Sequence, residues 1–112
     1  MYRIKVEILI PLNYNDNRRI EGKKLGKTYH ELFAQFGGVS ISDFVVSGMW
    51  RKPGPINDED AKKKYYDKNK TYWVVCDDNY DTHYFFKDYK EKLKERFQQE
   101  DMMIIYTHVY YL

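Results

Sequence analysis

Tyr2-Arg3-Ile4-Lys5-Val6-Glu7-Ile8-Leu9-Ile10 alternates along its length. Tyr2, Ile4, Val6, Ile8 and Ile10 fall on one side of an extended chain, and Arg3, Lys5 and Glu7 on the other. That period of two predicts a half-buried strand over 2–10. Pro11 ends it by removing a ladder donor. A second strand–helix–strand unit follows at residues 71–111, after a charged insert. Two such halves in one short chain predict an α+β fold of the split βαβ, or ferredoxin-like, kind (βαββαβ). Its form is a four-stranded antiparallel sheet with two helices on one face.

The rest of the chain fits that order. Leu12–Lys27 has no period and is rich in Asn, Gly and basic residues, so it reads as a loop. Thr28-Tyr29-His30-Glu31 has the form of a capping box, with Thr28 as N-cap. Tyr29, Leu32, Phe33 and Phe36 then mark one helix face, and Gly37-Gly38 stops the helix. Val39–Arg51 is strand-like, with a bulge expected near Ser42-Asp43. Lys52–Lys70 reads as a long hairpin connection, with a short helical turn over Asp58–Tyr66. Thr71–Cys76 is apolar on both faces, which suits a central strand. Asp77–Asp81 is a turn with Asp81 as the preferred N-cap. Thr82–Gln99 is a helix with the stripe Phe86, Tyr89, Leu93 and Phe97 and a supporting Asp88–Lys92 pair. Met102–Tyr111 is the last strand.

Composition bounds the chemistry. A chain of 112 residues is one domain, 1–112, able to bury a core without disulfides. The single cysteine, Cys76, can close no internal disulfide and no cysteine-based zinc site, which points to the cytoplasm. Met1 runs straight into a strand, so no signal peptide is expected, and no apolar run is long enough to span a membrane. Residues 1–56 carry nine Lys/Arg against five Asp/Glu (9 − 5 = +4), and residues 57–112 carry ten against twelve (10 − 12 = −2). That is no concentrated basic footprint, so nucleic acid is not an expected partner. Twelve tyrosines bring apolar bodies with polar tips. With the last strands apolar on both sides, they predict self-association through the sheet face away from the helices.

In the expected topology the first two strands run parallel and end at one rim. That rim collects the two long irregular segments and the start of the first helix, so a site belongs there. Asn13, Asn15 and Asp16 offer oxygens for a cation, but Asx side chains in loops usually serve their own backbone, and that reading is preferred. Arg18 and Arg19, with Lys23 and Lys24, suit a phosphate or carboxylate near the helix start; Arg51 adds charge and Trp50 a stacking face. His30, His83 and His108 are expected to lie apart, so neither a metal site nor a catalytic histidine is assigned, and no cofactor is expected.

Several stretches carry a resemblance: Pro11-Leu12-Asn13-Tyr14-Asn15-Asp16, Ile20-Glu21, Phe36-Gly37-Gly38, Gly48-Met49-Trp50-Arg51, Phe85-Phe86 and Leu93 to Gln99. In order and spacing they resemble a family of small uncharacterised prokaryotic proteins. The resemblance implies a stand-alone cytoplasmic domain and transfers no catalytic residue. That family often has Gly where Asn17 stands here, a position Asn can also serve.

The expectation is therefore a homo-oligomeric binding or regulatory module for an anionic small ligand or a protein partner. One alternative is an enzyme acting on a phosphate-bearing substrate, with Asp16 as base or metal ligand and Arg18 and Arg19 as clamps. Another is a single-stranded nucleic-acid binder, although residues 71–77 lack the Lys/Arg-Gly-aromatic pattern of an RNA-recognition motif. Small ferredoxin-like nucleases of the CRISPR-associated type place Asp at the end of the first strand, where Ile10-Pro11 stands here.

Overall fold

The computed structural model describes residues 2–51, 65–110 and 112. Its elements in chain order are β1 (Arg3–Pro11), α1 (Gly22–Phe36), β2 (Ser40–Ile41), β3 (Val46–Trp50), β4 (Tyr65–Asp77), α2 (Tyr80–Arg96) and β5 (Ile104–Val109). The fold is α+β: among the described residues, two helices and one antiparallel sheet of five strands.

β1 lies inside the sheet. On one side it pairs with β4 from Arg3–Asp77 to Pro11–Asn69; on the other it pairs with β5 from Arg3–Val109 to Ile8–Ile104. β2 and β3 both lie on the far side of β4. The expected single strand over 39–51 is therefore two strands. Between the pairs Ile41–Tyr72 and Val46–Asn69 the chain spends two residues more than β4 does, which is the expected bulge in enlarged form. Ser42 bridges the gap: its N–H donates to the Thr71 carbonyl (2.9 Å) and its hydroxyl accepts from the Thr71 N–H (3.0 Å).

The period of two in β1 becomes burial. Ile4, Val6, Ile8 and Ile10 are closed off from solvent, whereas Arg3, Lys5 and Glu7 are half-buried. Tyr72, Val74 and Cys76 of β4 join them on the same face. Leu32 of α1 and Phe86, Tyr89 and Leu93 of α2, with Phe97 just beyond, complete the core, so both helices cover that face. The expected α2 stripe is buried in full, and Asp88 pairs with Lys92 at 3.3 Å.

Several boundaries move. α1 begins at Gly22, so the loop expected over 12–27 is shorter and Thr28 is no cap. Thr28 lies buried inside the helix, where its hydroxyl donates to the Lys24 carbonyl (2.9 Å) and accepts from Arg96 (2.8 Å). Leu25 packs on the core and supplies the extra turn. Glu21 is the residue before the helix and caps nothing with its side chain. The Asn79 side chain, not Asp81, caps α2: its Oδ1 accepts from the Thr82 N–H (2.9 Å), while Asp81 stands in the first turn, where its charge favours the helix dipole. α2 ends before the expected Gln99, and Gln98 takes φ 53°. Residues 65–70, expected in the hairpin connection, belong to β4. The helical turn expected over 58–66 lies outside the described residues up to 64, and Tyr66 is strand.

One polar tie joins the helices. Arg96 donates from both terminal nitrogens to the Glu31 carboxylate, at 3.1 Å for the Nη2–Oε2 bond, and Tyr89 Oη donates to Glu31 Oε1 (3.1 Å). Burial pushes the Glu31 carboxyl up, but the hydrogen bonds and charge of Arg96 outweigh it, and the net shift is downward. A carboxyl lowered on folding adds stability above its ordinary value and loses it as pH falls through the lowered one. Replacing Arg96 by Met is expected to cost about 1–3 kcal/mol at neutral pH, the range for hydrogen bonds to a charged group. The deficit should shrink at pH values below the ordinary glutamate range, because Glu31 without Arg96 folds more easily protonated. Urea unfolding at pH 7 and pH 3 measures both; equal stability of the two proteins at pH 7 refutes the tie.

Candidate functional site

Chain direction brings the rim together. β4 runs against β1 and against β2 and β3, so β1 and β3 run the same way. Beyond Pro11, β4 continues in a ladder with β3, and the Leu12 N–H donates to the Lys68 carbonyl (2.9 Å). The segment after β1 therefore packs beside residues 66–70, at the start of α1.

That segment folds back on itself. Tyr14 N–H donates to the Arg18 carbonyl (2.8 Å), Asn17 N–H to Tyr14 (2.9 Å) and Ile20 N–H to Leu12 (2.9 Å), and Asn13 bridges Arg19. Tyr14 and Ile20 are buried and pin the hairpin to the core. Asn17 sits at its tip with φ 72°, in the left-handed region. Asn13 donates its amide to the Asn17 carbonyl and side chain (3.4 and 3.2 Å). Asp16 accepts from the Arg18 N–H (3.1 Å) and from Arg18 Nε (2.6 Å), and these bonds hold its carboxyl below the usual range. Asn13 and Asp16 thus serve the loop itself, as Asx residues do. Asn15 is exposed at the turn.

The hub of the rim is a residue to which the sequence reading gave no role. Tyr14 Oη donates to the Glu21 carboxylate and accepts from Lys24 Nζ (2.6 Å). Arg18 and Lys24 each lie 4.9 Å from the centre of its ring. The bond from Tyr14 holds the Glu21 carboxyl down, and Tyr14 likewise raises the Lys24 ammonium. Arg18 and Lys24 are therefore already engaged. Among the described residues the side chains of Arg19, Lys23, Lys68 and Lys70 make no ion pair, unlike those of Arg18 and Lys24. The first turn of α1, where Lys23 stands, contains no acid, although Glu21 directly precedes it. Trp50 and Arg51 stand apart: Trp50 is three residues beyond Ser47, the partner of Lys68, or about 10 Å at the rise of a strand. The side chain of Trp50 lies outside the described residues.

At the opposite end the structure brings together two of the three histidines expected to lie apart, His83 and His108. His83 Nε2 lies 2.6 Å from Asp78 Oδ1, and His108 Nδ1 lies 3.6 Å from Asp78 Oδ2. The Tyr106 ring meets that of His83 edge-on at 5.1 Å. Ile4 pairs with both His108 and Cys76, which sets the end of β5 beside the turn that carries Asp78. The approach of His108 to Asp78 has no signal in sequence spacing, because only the ladder creates it. Among the described residues no group of three or more His, Cys, Asp or Glu could hold a metal. Burial pushes the Cys76 thiol up to about 11, which keeps it protonated and unreactive at neutral pH.

Two cavities lie away from the rim. One of about 380 Å³ is bordered by Arg3, Gln35, Asp77, Asn79 and Asp81; one of about 180 Å³ lies between α2 and β5, against Phe86, Lys87, Ile104 and Tyr106. Among the described residues no helix is long and apolar enough to cross a membrane. Comparison with protein-family models, with curated proteins and with solved structures finds no match for the chain.

The conformation of Asn17 is testable. Asn17→Ala is expected to cost about 1–2 kcal/mol, the penalty of the left-handed region for a residue with a Cβ and no compensating side chain. Asn17→Gly is expected to cost less, even though it also loses the bond from Asn13. Urea titration of the two variants decides it; a glycine variant as unstable as the alanine one removes the backbone argument.

Proposed function

We propose that this chain is a small cytoplasmic binding module of the ferredoxin-like kind that holds an anionic small molecule at the rim of β1. The strand order β5-β1-β4 followed by the pair β2 and β3 supports the fold reading, since a split βαβ order would give it if its second strand were broken in two. The lone buried Cys76 suits a reducing compartment.

One observation carries the functional reading. Arg19 and Lys23 flank the start of α1, whose first turn holds no acid and whose preceding Glu21 is engaged by Tyr14 and Lys24; Lys68 and Lys70 stand on β4 where the segment after β1 packs beside it, and among the described residues none of the four makes an ion pair. A cation left without a partner near helical N–H groups is attracted to a phosphate or carboxylate more than to anything else in water. Asn15 borders the same surface; Arg51 adds charge further out.

The enzyme reading, with Asp16 as base, has less support. Asp16 is closed onto Arg18 by two hydrogen bonds, so it has little freedom to take a substrate proton. Nucleic-acid binding rests on the open sheet face, where Lys5 covers the Trp73 ring at 4.5 Å and so competes with a base for it.

Titration calorimetry with inorganic diphosphate is the test. Saturable binding is expected that weakens as salt is raised. The double variant R19A/K68A should lower affinity about tenfold, equivalent to 1.4 kcal/mol. Asp16→Ala should leave binding within about twofold, since Asp16 opposes rather than holds the anion. Absence of saturable binding to diphosphate, or full binding by R19A/K68A, overturns the proposal. Diphosphate hydrolysis that disappears in the Asp16 variant establishes the enzyme instead.

A further inference from the structure

We infer that two copies of this chain join through β5, antiparallel and centred on Tyr106, so that two five-stranded sheets become one. The inference goes beyond the anion reading and is independent of it, because β5 contributes nothing to the rim loop.

The argument begins with which backbone groups are free. Leu9 N–H donates to the Met103 carbonyl (3.0 Å), one step beyond the Ile8–Ile104 pair. In an antiparallel ladder, residues that exchange hydrogen bonds with a given neighbour alternate. Met103, Ile105, Thr107 and Val109 therefore spend their N–H and C=O groups on β1. Ile104, Tyr106 and His108 turn theirs outward, where no described strand meets them. Pairing Tyr106 with Tyr106 of a second copy sets Ile104 opposite His108 on both sides of the two-fold. Every outward group of the strand then finds its complement.

Unpaired edges are ordinarily guarded by charges, proline or a bulge. This edge has none of these: residues 102–112 contain no Lys, Arg, Asp, Glu or Pro. Two copies thus meet without opposing like charges. The other edge differs. β2 and β3 are interrupted by residues 42–45 and offer no continuous row of free groups.

Area favours the same surface. Met103 is 57% exposed, Tyr106 51% and Tyr110 fully, and Tyr80 and Tyr84 stack on each other at 6.3 Å on α2 beside His83. Aromatic side chains of about 200 Å² each add apolar area to the backbone pairing along this edge. The sheet face away from the helices, the expected surface, is less apt. Arg3, Lys5 and Glu7 run through its centre, and Trp73 and Val75 there are half-buried already. A second copy is the occupant chosen because the edge is its own complement in hydrogen bonds, charge and register; an isologous contact needs no other partner.

Sedimentation of the full chain at about 100 μM, enough to fill any dimer of micromolar affinity, is expected to give twice 13.7 kDa. Tyr106→Pro removes an outward N–H that no internal bond uses, so the fold should stand and the mass should halve. Tyr106→Lys, which guards the edge with charge, should do the same, with circular dichroism verifying that each variant is folded. Val46→Lys on the other edge should leave the dimer intact. A wild-type mass of 13.7 kDa, which leaves the edge to a strand of another protein, overturns the inference. So does a dimer that survives in a folded Tyr106 variant, or one dispersed by Val46→Lys alone.

Discussion

The register of β1 against β4 is the constraint from which the rest of the molecule follows. Pairing Arg3 with Asp77 and Pro11 with Asn69 sets Ile4, Val6, Ile8 and Ile10 on the same face as Tyr72, Val74 and Cys76. A slip of one residue would turn one of these rows to solvent and bring charged side chains under the helices. The same register decides which distant groups become neighbours. It sets Leu12 against Lys68 at one end and, through β5, His108 against Asp78 at the other. Neither meeting is encoded locally. Both are consequences of a ladder whose apolar rows can match in one way only.

The helices lie over that face, and the polar tie between them shows how a local pattern can mislead. Thr28 and Glu31 stand three apart, as a capping box requires, yet neither caps the helix, which begins at Gly22. Both turn toward Arg96, whose guanidinium lies largely inside the protein and would be costly without partners. A threonine hydroxyl inside a helix can bond the carbonyl one turn back, which satisfies it and leaves an oxygen for Arg96. The chemistry that suits Thr and Glu to a cap suits them equally to a buried arginine, and sequence spacing cannot separate the two. Phe36, Gly37 and the Phe86–Phe97 stripe were legible because only one use fits them: an apolar face at helical period, or a left-handed stop. The interruption at Ser42 was legible for the same reason, as a break in alternation.

The rim was legible as a place and only partly as a set of residues. Strand order predicts that the segment after β1 meets the segment before the central part of β4, and Leu12 and Lys68 do meet. What no one-dimensional reading shows is which charges cancel. Arg18 is spent on Asp16, and Lys24 on Tyr14 and Glu21. Lys68 and Lys70, expected in a connecting loop, belong to β4. Tyr14 passed without notice because a tyrosine in a polar loop gives no periodic signal. Its burial becomes evident only when Ile20 folds back beside it. Trp50 and Arg51 failed to join the cluster because β3 continues outward along β4 instead of ending level with β1.

A net charge of +2 therefore conceals a polarised molecule. Arg19, Lys23, Lys68 and Lys70, which make no ion pair among the described residues, stand at the end where β1 finishes; Asp77, Asp78 and Asp81 stand where it begins, before and in the first turn of α2, with Asp77 paired to Arg3. The length of β1 separates these groups by about 30 Å at the rise of a strand, roughly three Debye lengths at moderate salt, so each end acts on its surroundings independently. The field at the rim is thus that of a locally basic protein, and an approaching anion responds to it and not to the overall charge. Between the two ends, β5 contains no Lys, Arg, Asp or Glu. One polarised face for a small ion and one neutral edge for a like chain use different interactions. Salt weakens the first and has little hold on the second, so the chain can keep both without either interfering with the other.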